Sequence, residues 1–331
     1  MSNINKDKYV VVTSIFKPSA AVKALSKFKD WKLIVVADKK TPAKWNQQNV
    51  IFLSVDEQNK LPYKILKSLP WNSYSRKMVG YLFAMQNGAE IIADTDDDNK
   101  PIEDWGNIPE ESEYDVINGK GFANIYKYFT KEKIWPRGFP IENINSASHF
   151  KISNDKKRVG IWQFLANGSP DVDAIYRLTI NHSISFAQRR PLVLNKGVVS
   201  PFNSQNTIFY KNMFPLMYLP AFVTMRATDI FRGLIAQPIM WSNNYFLGFG
   251  KATMLQDRNP HNYLKDFTDE IPVYLNCKRV VDIATLSTGK GNSIGENLLN
   301  TYKSLIEIGI TPPKEILLLQ NWLDDVNKYV K

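Results

Sequence analysis

Cysteine and histidine are scarce in this chain of 331 residues, which contains one cysteine, Cys277, and three histidines. A single cysteine excludes an internal disulfide framework and any zinc site built from several cysteines, and it fits a reducing compartment. Three histidines leave few nitrogen ligands for a metal. Metal binding, if this protein uses it, must therefore rest mainly on carboxylates.

Long apolar runs are also missing, since no stretch approaches the roughly 18 residues of a membrane span. Residues 1–8 are polar and lead directly into a strand-like segment. Hydrophobic residues still make up 44% of the chain, which is enough to bury a full core. The sequence therefore predicts a soluble, unprocessed, cytoplasmic protein without a transmembrane segment, for which peripheral membrane contact stays open.

Acidic residues are outnumbered, because 42 Lys and Arg face 32 Asp and Glu and give a formal charge of +10. Such an excess indicates an anionic partner, such as nucleotide phosphates, a membrane surface or an acidic glycan, unless the lysines merely maintain solubility. The basic residues are scattered, and no aromatic-interleaved basic motif or DNA-reading helix occurs. We therefore expect no nucleic-acid partner.

The first hundred residues alternate between extended and helical patterns. Strand patterns occur at residues 9–15, 33–37, 50–53 and 90–93. Helical patterns occur at residues 19–28 and 72–87, the second with Ser73 as N-cap and Gly88 as its C-terminal stop. This order of largely apolar strands and helices predicts an α/β fold with a mostly parallel sheet flanked by helices. Ligands bind such sheets beyond the carboxyl ends of the strands.

The rest of the chain gives weaker signals, and residues 101–199 are turn-rich without a clear element. Further helical patterns lie at residues 228–241, 293–308 and 313–330. Pro238 is expected to bend or end the first of these three helices. We predict one domain over residues 1–290, and C-terminal helices over residues 291–331 that pack on it as a helical appendage.

Four aspartates follow the fourth predicted strand within five residues, namely Asp94, Asp96, Asp97 and Asp98. Carboxylates this close raise one another's pKa unless a cation lies among them, so a hard divalent metal, Mn²⁺ or Mg²⁺, is expected. An EF-hand calcium loop is excluded, because its glycine and glutamate positions hold Asn99 and Trp105. The aspartate loop of phosphatases and a solvated acidic turn stay open. We favour a site in which one carboxylate orients a sugar or ribose hydroxyl and another holds the metal against a diphosphate.

Arg76 and Lys77 lie in the first turn of the helix predicted at 72–87. Cations there oppose the helix dipole at a cost of roughly 0.3 to 1 kcal/mol each, which suits a docked phosphate. Two solvated surface cations are the alternative. Thr13, Ser14 and Asp38 come at the ends of the first two strands, where a nucleotide base and ribose would bind, although an aspartate after a strand is often a turn residue.

Two further candidates lie late in the sequence. Asp229 follows Thr228, a possible helix N-cap, and is predicted either to stabilise the helix end or to act as the general base that deprotonates an acceptor hydroxyl. His261 lies in a polar, turn-forming segment and is predicted to ligate the metal through a ring nitrogen.

Polar residues suited to sugar hydroxyls occur in two segments. Arg137 lies in the polar-aromatic segment 135–140. The second segment, 200–207, has consecutive hydrogen-bonding side chains at Asn203, Ser204, Gln205 and Asn206. We predict that these five residues contact the sugar or the acceptor, although a buried turn network would have the same composition.

Seven blocks of the sequence resemble the plant STELLO-type glycosyltransferases in order and spacing: residues 38–42, 72–77, 94–99, 135–140, 200–207, 228–233 and 258–266. The likeness extends over about four-fifths of the chain. The chain is also distantly similar to the reversibly glycosylated polypeptides, which are UDP-arabinopyranose mutases, chiefly through the aspartate run, residues 137–140 and the Asp229 segment.

The resemblance implies a GT-A fold, a nucleotide-sugar donor, and a metal bound by Asp96 and Asp98. The resulting hypothesis is a metal-dependent glycosyltransferase that moves a sugar from a UDP-sugar to a hydroxyl acceptor such as a glycan. Three alternatives stay open: a UDP-sugar mutase, a nucleotidyltransferase, and a nucleotide-sugar-binding scaffold subunit without turnover. The sequence predicts neither the sugar, the acceptor, the stereochemical outcome nor the oligomeric state.

Overall fold

Most strands of the protein join one large mixed sheet. The computed structural model describes residues 7–102, 104–146, 149–258 and 261–330. Its strands are β1 (Lys8–Ser14), β2 (Lys32–Ala37), β3 (Val50–Leu53), β4 (Ile91–Thr95), β5 (Asn99–Pro101), β6 (Tyr114–Asn118), β7 (Gly121–Phe122), β8 (Lys151–Asp155), β9 (Val159–Gly168), β10 (Leu192–Leu194), β11 (Val198–Val199), β12 (Asn206–Tyr210) and β13 (Phe246–Gln256).

Helices cover this sheet. They are α1 (Ala20–Leu25), α2 (Val55–Gln58), α3 (Lys77–Gln86), α4 (Tyr126–Phe129), α5 (Ala174–Thr179), α6 (Met225–Ser242), α7 (Tyr263–Ser287), α8 (Ile294–Glu307) and α9 (Glu315–Tyr329). Short 3₁₀ turns occur at Lys64–Lys67, Tyr74–Arg76, Ile141–Asn143 and Lys211–Met217. In the described ranges, no helix combines the length and the apolarity needed to cross a membrane.

The sheet begins as a parallel unit, with the order β3-β2-β1-β4. The carboxyl ends of these strands therefore meet at one edge, where Ser14 pairs with Ala37 and Val11 pairs with Asp94. This arrangement confirms the predicted α/β class with a largely parallel sheet flanked by helices. It also brings the four aspartates of residues 94–98, called the acidic run below, to the same edge as Thr13 and Asp38.

The later strands extend the sheet in the order β12-β9-β13-β10-β6-β8 beyond β4. Strand β12 runs antiparallel to both β4 and β9, so Asn206 lies beside Thr95. Strand β13 runs parallel to β9 and pairs with the short β5, which places Gln256 beside Asn99. Residues from three separate parts of the chain thus converge around the acidic run.

The sheet has a hydrophobic core on each face, as expected for apolar strands without an alternating polar side. Tyr9 and Val11 of β1 enter one core, and Val10 and Val12 enter the other. Helix α3 covers the first face. Its approach depends on Gly80, because a Cβ there would lie 2.5 Å from Cγ1 of Val11. This close contact places α3 directly against β1 and β2.

The C-terminal helices pack on the same face of the sheet. Ser293 and Glu296 form the predicted capping box at the start of α8. Trp322 and Leu318 of α9 are buried in the core that α3 also enters. Asp325 accepts hydrogen bonds from the backbone N–H groups of residues 64 and 65, at 3.0 and 2.9 Å. The last helix therefore contacts the loop between β3 and α3.

Three features differ from the expectations. The turn-rich region 101–199 contains strands β6 to β11, including the ten-residue β9. Helix α6 does not end at Pro238 but continues to Ser242, because every residue from Arg226 to Met240 is buried and tertiary packing offsets the lost hydrogen bond. Residues 263–287, for which no element was predicted, form α7, a helix of 25 residues with Pro272 inside it.

Candidate functional site

A cavity of about 380 Å³ lies at the carboxyl edge of the parallel strands. One group of lining residues comes from the strand ends and the acidic run: Thr13, Ser14, Asp38, Asp96, Asp97 and Asp98. A second group comes from later parts of the chain: Arg137, Asp171, Gln205, Arg226, Asp229, Arg258 and His261. The fold therefore gathers most of the predicted site residues around one space.

Asp94 is fully buried and does not line the cavity. Its carboxylate forms ion pairs with Nζ of Lys77 at 2.9 Å and with Nη1 of Arg232 at 2.7 Å. Burial alone would raise the pKa of Asp94, but Lys77 and Arg232 hold that pKa below its usual value. Asp94 is thus a structural anion at the strand end.

Asp96 connects this buried ion group to the cavity. Its Oδ1 accepts hydrogen bonds from the hydroxyl of Tyr74 at 2.6 Å and from Nζ of Lys77 at 2.9 Å. The side chain is 32% exposed. Burial raises the pKa of Asp96 above its usual value despite the charge of Lys77. Asp96 therefore has one occupied oxygen and presents its carboxylate to the cavity.

Asp97 and Asp98 line the cavity together with Asp96, and these three residues are called the acidic wall below. Asp97 accepts a hydrogen bond from the hydroxyl of Ser14, and Oδ2 of Asp98 accepts one from Nε2 of Gln256 at 3.1 Å. Oδ1 of Asp98 is buried and has no hydrogen-bond partner in the described residues. Burial and the neighbouring charge of Asp96 raise the pKa of Asp98 to about 6. A cation would satisfy this oxygen and relieve the repulsion.

Metal ligation by protein side chains alone is limited here. Within the ranges described above, no three His, Cys, Asp or Glu side chains are grouped so that they could hold a metal ion. Two carboxylates are nevertheless a common protein contribution where substrate phosphates and water supply the remaining ligands of Mg²⁺.

Arg76 and Lys77 do not lie where the sequence predicted. Neither lines the cavity, and their exposed fractions are 1% and 0%. The guanidinium of Arg76 donates to Oε1 of Gln58 and stacks 3.7 Å above the ring of Trp71, and burial lowers its pKa to about 10. Lys77 neutralises Asp94 and Asp96 instead. Internal partners offset part of the cost of these cations next to α3, and Nε of Arg76, although buried without a partner among the described residues, lies outside the cavity lining.

Thr13, Ser14 and Asp38 do line the cavity. Oγ1 of Thr13 donates to the carbonyl of Val36 at 3.1 Å. The carboxylate of Asp38 accepts hydrogen bonds from the backbone N–H groups of Asn72 at 2.8 Å and Ser73 at 3.1 Å. Asp38 thereby fixes the turn that precedes Tyr74, in which Asn72 has a positive φ of 53°.

Arg137 joins two carboxylates, Asp171 and Asp229. Its Nη2 lies 2.8 Å from Oδ2 of Asp171 and 2.9 Å from Oδ2 of Asp229, and its Nη1 donates to Oδ1 of Asp229 at 3.1 Å. Burial would lower the pKa of Arg137, but the two carboxylates hold it well above the usual value. Arg137 thus fixes the orientation of Asp229. The sequence analysis did not identify Asp171, whose loop carries no recognisable motif.

The predicted sugar-binding segment is mostly a buried turn network. Oδ1 of Asn203 accepts a hydrogen bond from the backbone of Gln205 at 2.8 Å, and Oγ of Ser204 accepts one from Arg232 at 3.0 Å. Nδ2 of Asn206 donates to Thr253 at 2.9 Å. Of the four predicted residues 203–206, only Gln205 lines the cavity. The interpretation of Asn203, Ser204 and Asn206 as sugar ligands therefore needs correction, because their polar atoms stabilise the turn.

His261 lies at the cavity, with Nδ1 3.0 Å from Oδ2 of Asp266. Nη2 of Arg258 lies 3.4 Å from the same carboxylate oxygen. Burial would raise the pKa of Asp266, but His261, Arg226 and Arg258 hold it below its usual value. Asp266 thus orients the imidazole. Arg226 and Arg258 are lining residues that the sequence analysis did not single out.

The chain is similar in sequence to a family of known proteins. The family model of the STELLO glycosyltransferases matches residues 226–330. Two proteins of Arabidopsis thaliana, "Probable glycosyltransferase STELLO2" and "Probable glycosyltransferase STELLO1", are each 28% identical to this chain over 349 residues. The alignments cover 98% of this chain but 45% of each relative, so the chain spans about half the length of the curated relatives it matches. These matches confirm the resemblance to STELLO-type glycosyltransferases.

Proposed function

We propose that this chain is a metal-dependent glycosyltransferase that moves a sugar from a UDP-sugar to a hydroxyl acceptor such as a glycan. One observation carries the proposal. The cavity at the strand ends combines the carboxylates of Asp96 and Asp98 with Asp229 and with the polar strand ends of the parallel unit. The similarity to the STELLO glycosyltransferases supports the same activity.

The acidic wall fits Mn²⁺ or Mg²⁺. Oδ1 of Asp98 is buried without a partner, and both candidate ligands, Asp96 and Asp98, offer the hard oxygen atoms that these ions prefer. His261 is a further candidate ligand at the cavity. When bound, the metal would supply positive charge against the leaving diphosphate. Lys77, buried behind Asp96, keeps that carboxylate in a fixed orientation.

The donor nucleoside fits the part of the cavity formed by the parallel strand ends. Thr13, Ser14 and Asp38 line it there, and the turn at Asn72 and Ser73 lies beside Asp38. Hydroxyl, carboxylate and amide groups of this kind can bind ribose hydroxyls and base edges. The sugar would then extend toward Asp229.

Asp229 is the candidate base for the acceptor hydroxyl. Both of its oxygens accept hydrogen bonds from Arg137, which fixes the carboxylate in one orientation. Oδ2 also accepts a hydrogen bond from the backbone N–H of Ser204 at 3.3 Å, so Oδ1 is the oxygen whose second lone pair can accept the proton of an acceptor hydroxyl. Gln205, a predicted sugar or acceptor residue, also lines the cavity, but its Nε2 donates to Oε1 of Gln256 and its Oε1 accepts from the backbone N–H of Asp171.

A UDP-sugar mutase is the second candidate function. The observation that favours it is the double contact of Arg137 with Asp229, which engages both oxygens of the candidate base in an ion pair within the protein. A mutase rearranges the donor sugar itself and needs no acceptor. Incubating the protein with UDP-sugars alone, and analysing the sugar that is recovered, separates the two functions.

Calorimetric titration of the protein with UDP, with and without Mn²⁺, tests the donor site. We expect metal-dependent binding that weakens about tenfold or more in Asp98→Asn, because a carboxylate ligand is lost. Asp30→Asn is a matched control, since Asp30 is exposed and does not line the cavity. Metal-independent binding, or equal affinity in both variants, would refute the metal site.

Turnover needs a separate assay. The protein with Mn²⁺ should release UDP from at least one UDP-sugar in a panel, faster with a glycan acceptor than without one. Asp229→Asn should lower this rate while UDP affinity stays the same, because the base acts on the acceptor. Metal-dependent UDP binding without any turnover would instead indicate a nucleotide-sugar-binding scaffold subunit.

A further inference from the structure

Two arginines that the sequence analysis did not single out line the cavity. Arg226 is the second residue of α6, and Arg258 follows the end of β13 by two residues. The exposed fraction is 9% for Arg226 and 8% for the side chain of Arg258. Two guanidinium groups are thus nearly buried within the lining of one small cavity.

The hydrogen bonds of these two arginines are unequal. Arg226 donates Nε and Nη2 to Oε1 of Glu270, at 2.8 and 2.5 Å. Among the described residues, the contact of Arg258 is a long one, 3.4 Å from Nη2 to Asp266. Its Nε is buried and lacks a hydrogen-bond partner among the described residues. Arg258 therefore carries a buried charge that the surrounding protein satisfies only in part.

Like charges also face each other here. Burial, and next the positive charge of Arg226, lower the pKa of Arg258 to about 10. Arg177 opposes the charge of Arg258 as well, whereas Asp171 and Asp266 favour it. The repulsion between the two guanidinium groups is only partly offset by Glu270, Asp266 and Asp171, and an anion bound between the arginines would relieve it further. Guanidinium groups suit phosphate oxygens because their donors are planar and can bind in pairs.

Arg76 and Lys77, which the sequence predicted to bind the phosphates, have internal partners and do not line the cavity. We propose that Arg226 and Arg258 form an anion subsite that binds the diphosphate of the nucleotide-sugar donor. This inference rests on the proposed function. It assigns the diphosphate to the part of the cavity between the acidic run and α6, and the nucleoside to the strand ends at Thr13 and Asp38.

The test compares three ligands that share parts of the donor, each titrated calorimetrically in Mn²⁺: UDP, uridine and inorganic diphosphate. Arg258→Gln should weaken UDP and diphosphate by roughly ten- to a hundredfold, the range for losing a charge-assisted hydrogen bond, and leave uridine unchanged. The affinity of Arg258→Lys for UDP and diphosphate should lie between those of Arg258→Gln and the wild type, because lysine keeps the charge but lacks the paired donors.

Arg190→Gln is the control, since it removes the same charge from an exposed side chain outside the cavity lining. It should bind all three ligands as the wild type does. Thermal melting of each variant shows whether the fold is kept. Arg258 is preferred to Arg226 as the test position, because removing Arg226 would leave Glu270 buried without its ion pair.

The outcomes separate this inference from the function on which it rests. The subsite is wrong, even where the wild type transfers sugar, if Arg258→Gln binds UDP and diphosphate with wild-type affinity. It is also wrong if the affinity for uridine falls by the same factor as the affinity for UDP. If the wild type binds no diphosphate, the subsite is also wrong. If Arg258-dependent diphosphate binding occurs but no UDP-sugar is turned over, the subsite stands and the proposed glycosyltransferase activity fails.

Discussion

Replacing Lys77 with methionine would test the buried ion group beneath the acidic run. Nζ of Lys77 lies 2.9 Å from Oδ1 of Asp94 and 2.9 Å from Oδ1 of Asp96, and both Lys77 and Asp94 are fully buried. Methionine approximates the length of the lysine stem and removes the charge. Of the ion pairs in the described residues, Asp94 would then keep the one with Arg232, and Asp96 would keep its hydrogen bond from the hydroxyl of Tyr74.

The expected loss of stability follows from burial. Removing one partner of a buried ion group costs about 3–5 kcal/mol, since the remaining charge has no water to solvate it. Unfolding entropy of about 2 cal/mol/K per residue gives roughly 0.7 kcal/mol/K for a chain of 331 residues. The Tm of Lys77→Met should therefore fall by about 4–7 °C at neutral pH.

Differential scanning calorimetry of Lys77→Met and Lys64→Met would measure this effect against a matched control. The pair of Lys64 and Asp324 has a similar length, 2.7 Å, but its side chains are 57% and 54% exposed. Solvent and salt screen such a pair, so Lys64→Met should leave Tm unchanged. Equal shifts in the two variants, or an unchanged Tm in Lys77→Met, would refute the argument from burial.

Two further predictions concern stability. Asp173 caps α5 and accepts a hydrogen bond from Nε1 of Trp135, and burial raises its pKa to about 6. The folded protein thus keeps a proton that the unfolded chain loses near pH 4, so this group makes stability fall as the pH rises from about 4 to 6. Asp173→Asn should reduce that fall by up to about 3 kcal/mol in urea titrations, and an identical pH slope would contradict the assignment. Gly233→Ala should cost about 1–3 kcal/mol in the same assay, because the new Cβ would lie 2.2 Å from the carbonyl oxygen of Phe202, and an unchanged urea midpoint would show that α6 can shift freely.

The parts of the fold that the sequence predicted are those with local signals. The apolar runs of β1, β2 and β4 and the stop at Gly88 are contained in short segments, and the structure confirms each of them. The capping box of α8 needs only Ser293 and Glu296, which are three residues apart. The position of the acidic run at a strand end could also be predicted, because the strand directly precedes it in the sequence.

The elements and contacts that the sequence did not predict depend on partners that are distant along the chain. Strand β9 is stabilised by pairing with β12 and β13, whose residues follow about 40 to 90 positions later in the chain. Arg137 contacts Asp171 and Asp229 across 34 and 92 positions. No local signal indicated that Arg76, in the 3₁₀ turn before α3, would contact Gln58 rather than face the cavity. Only the tertiary structure decides which basic residues reach a ligand.

The contact between α9 and the loop before α3 has a consequence for how the protein unfolds. Asp325 binds two backbone N–H groups that lie 260 positions or more earlier, in the segment that leads to the turn at Asn72. A chain cut before α9 would leave these donors unpaired and remove Trp322 from the shared core. We therefore expect the first hundred residues and the last helix to unfold together, and we expect a fragment that contains only the strand-end half of the cavity to lose its shape.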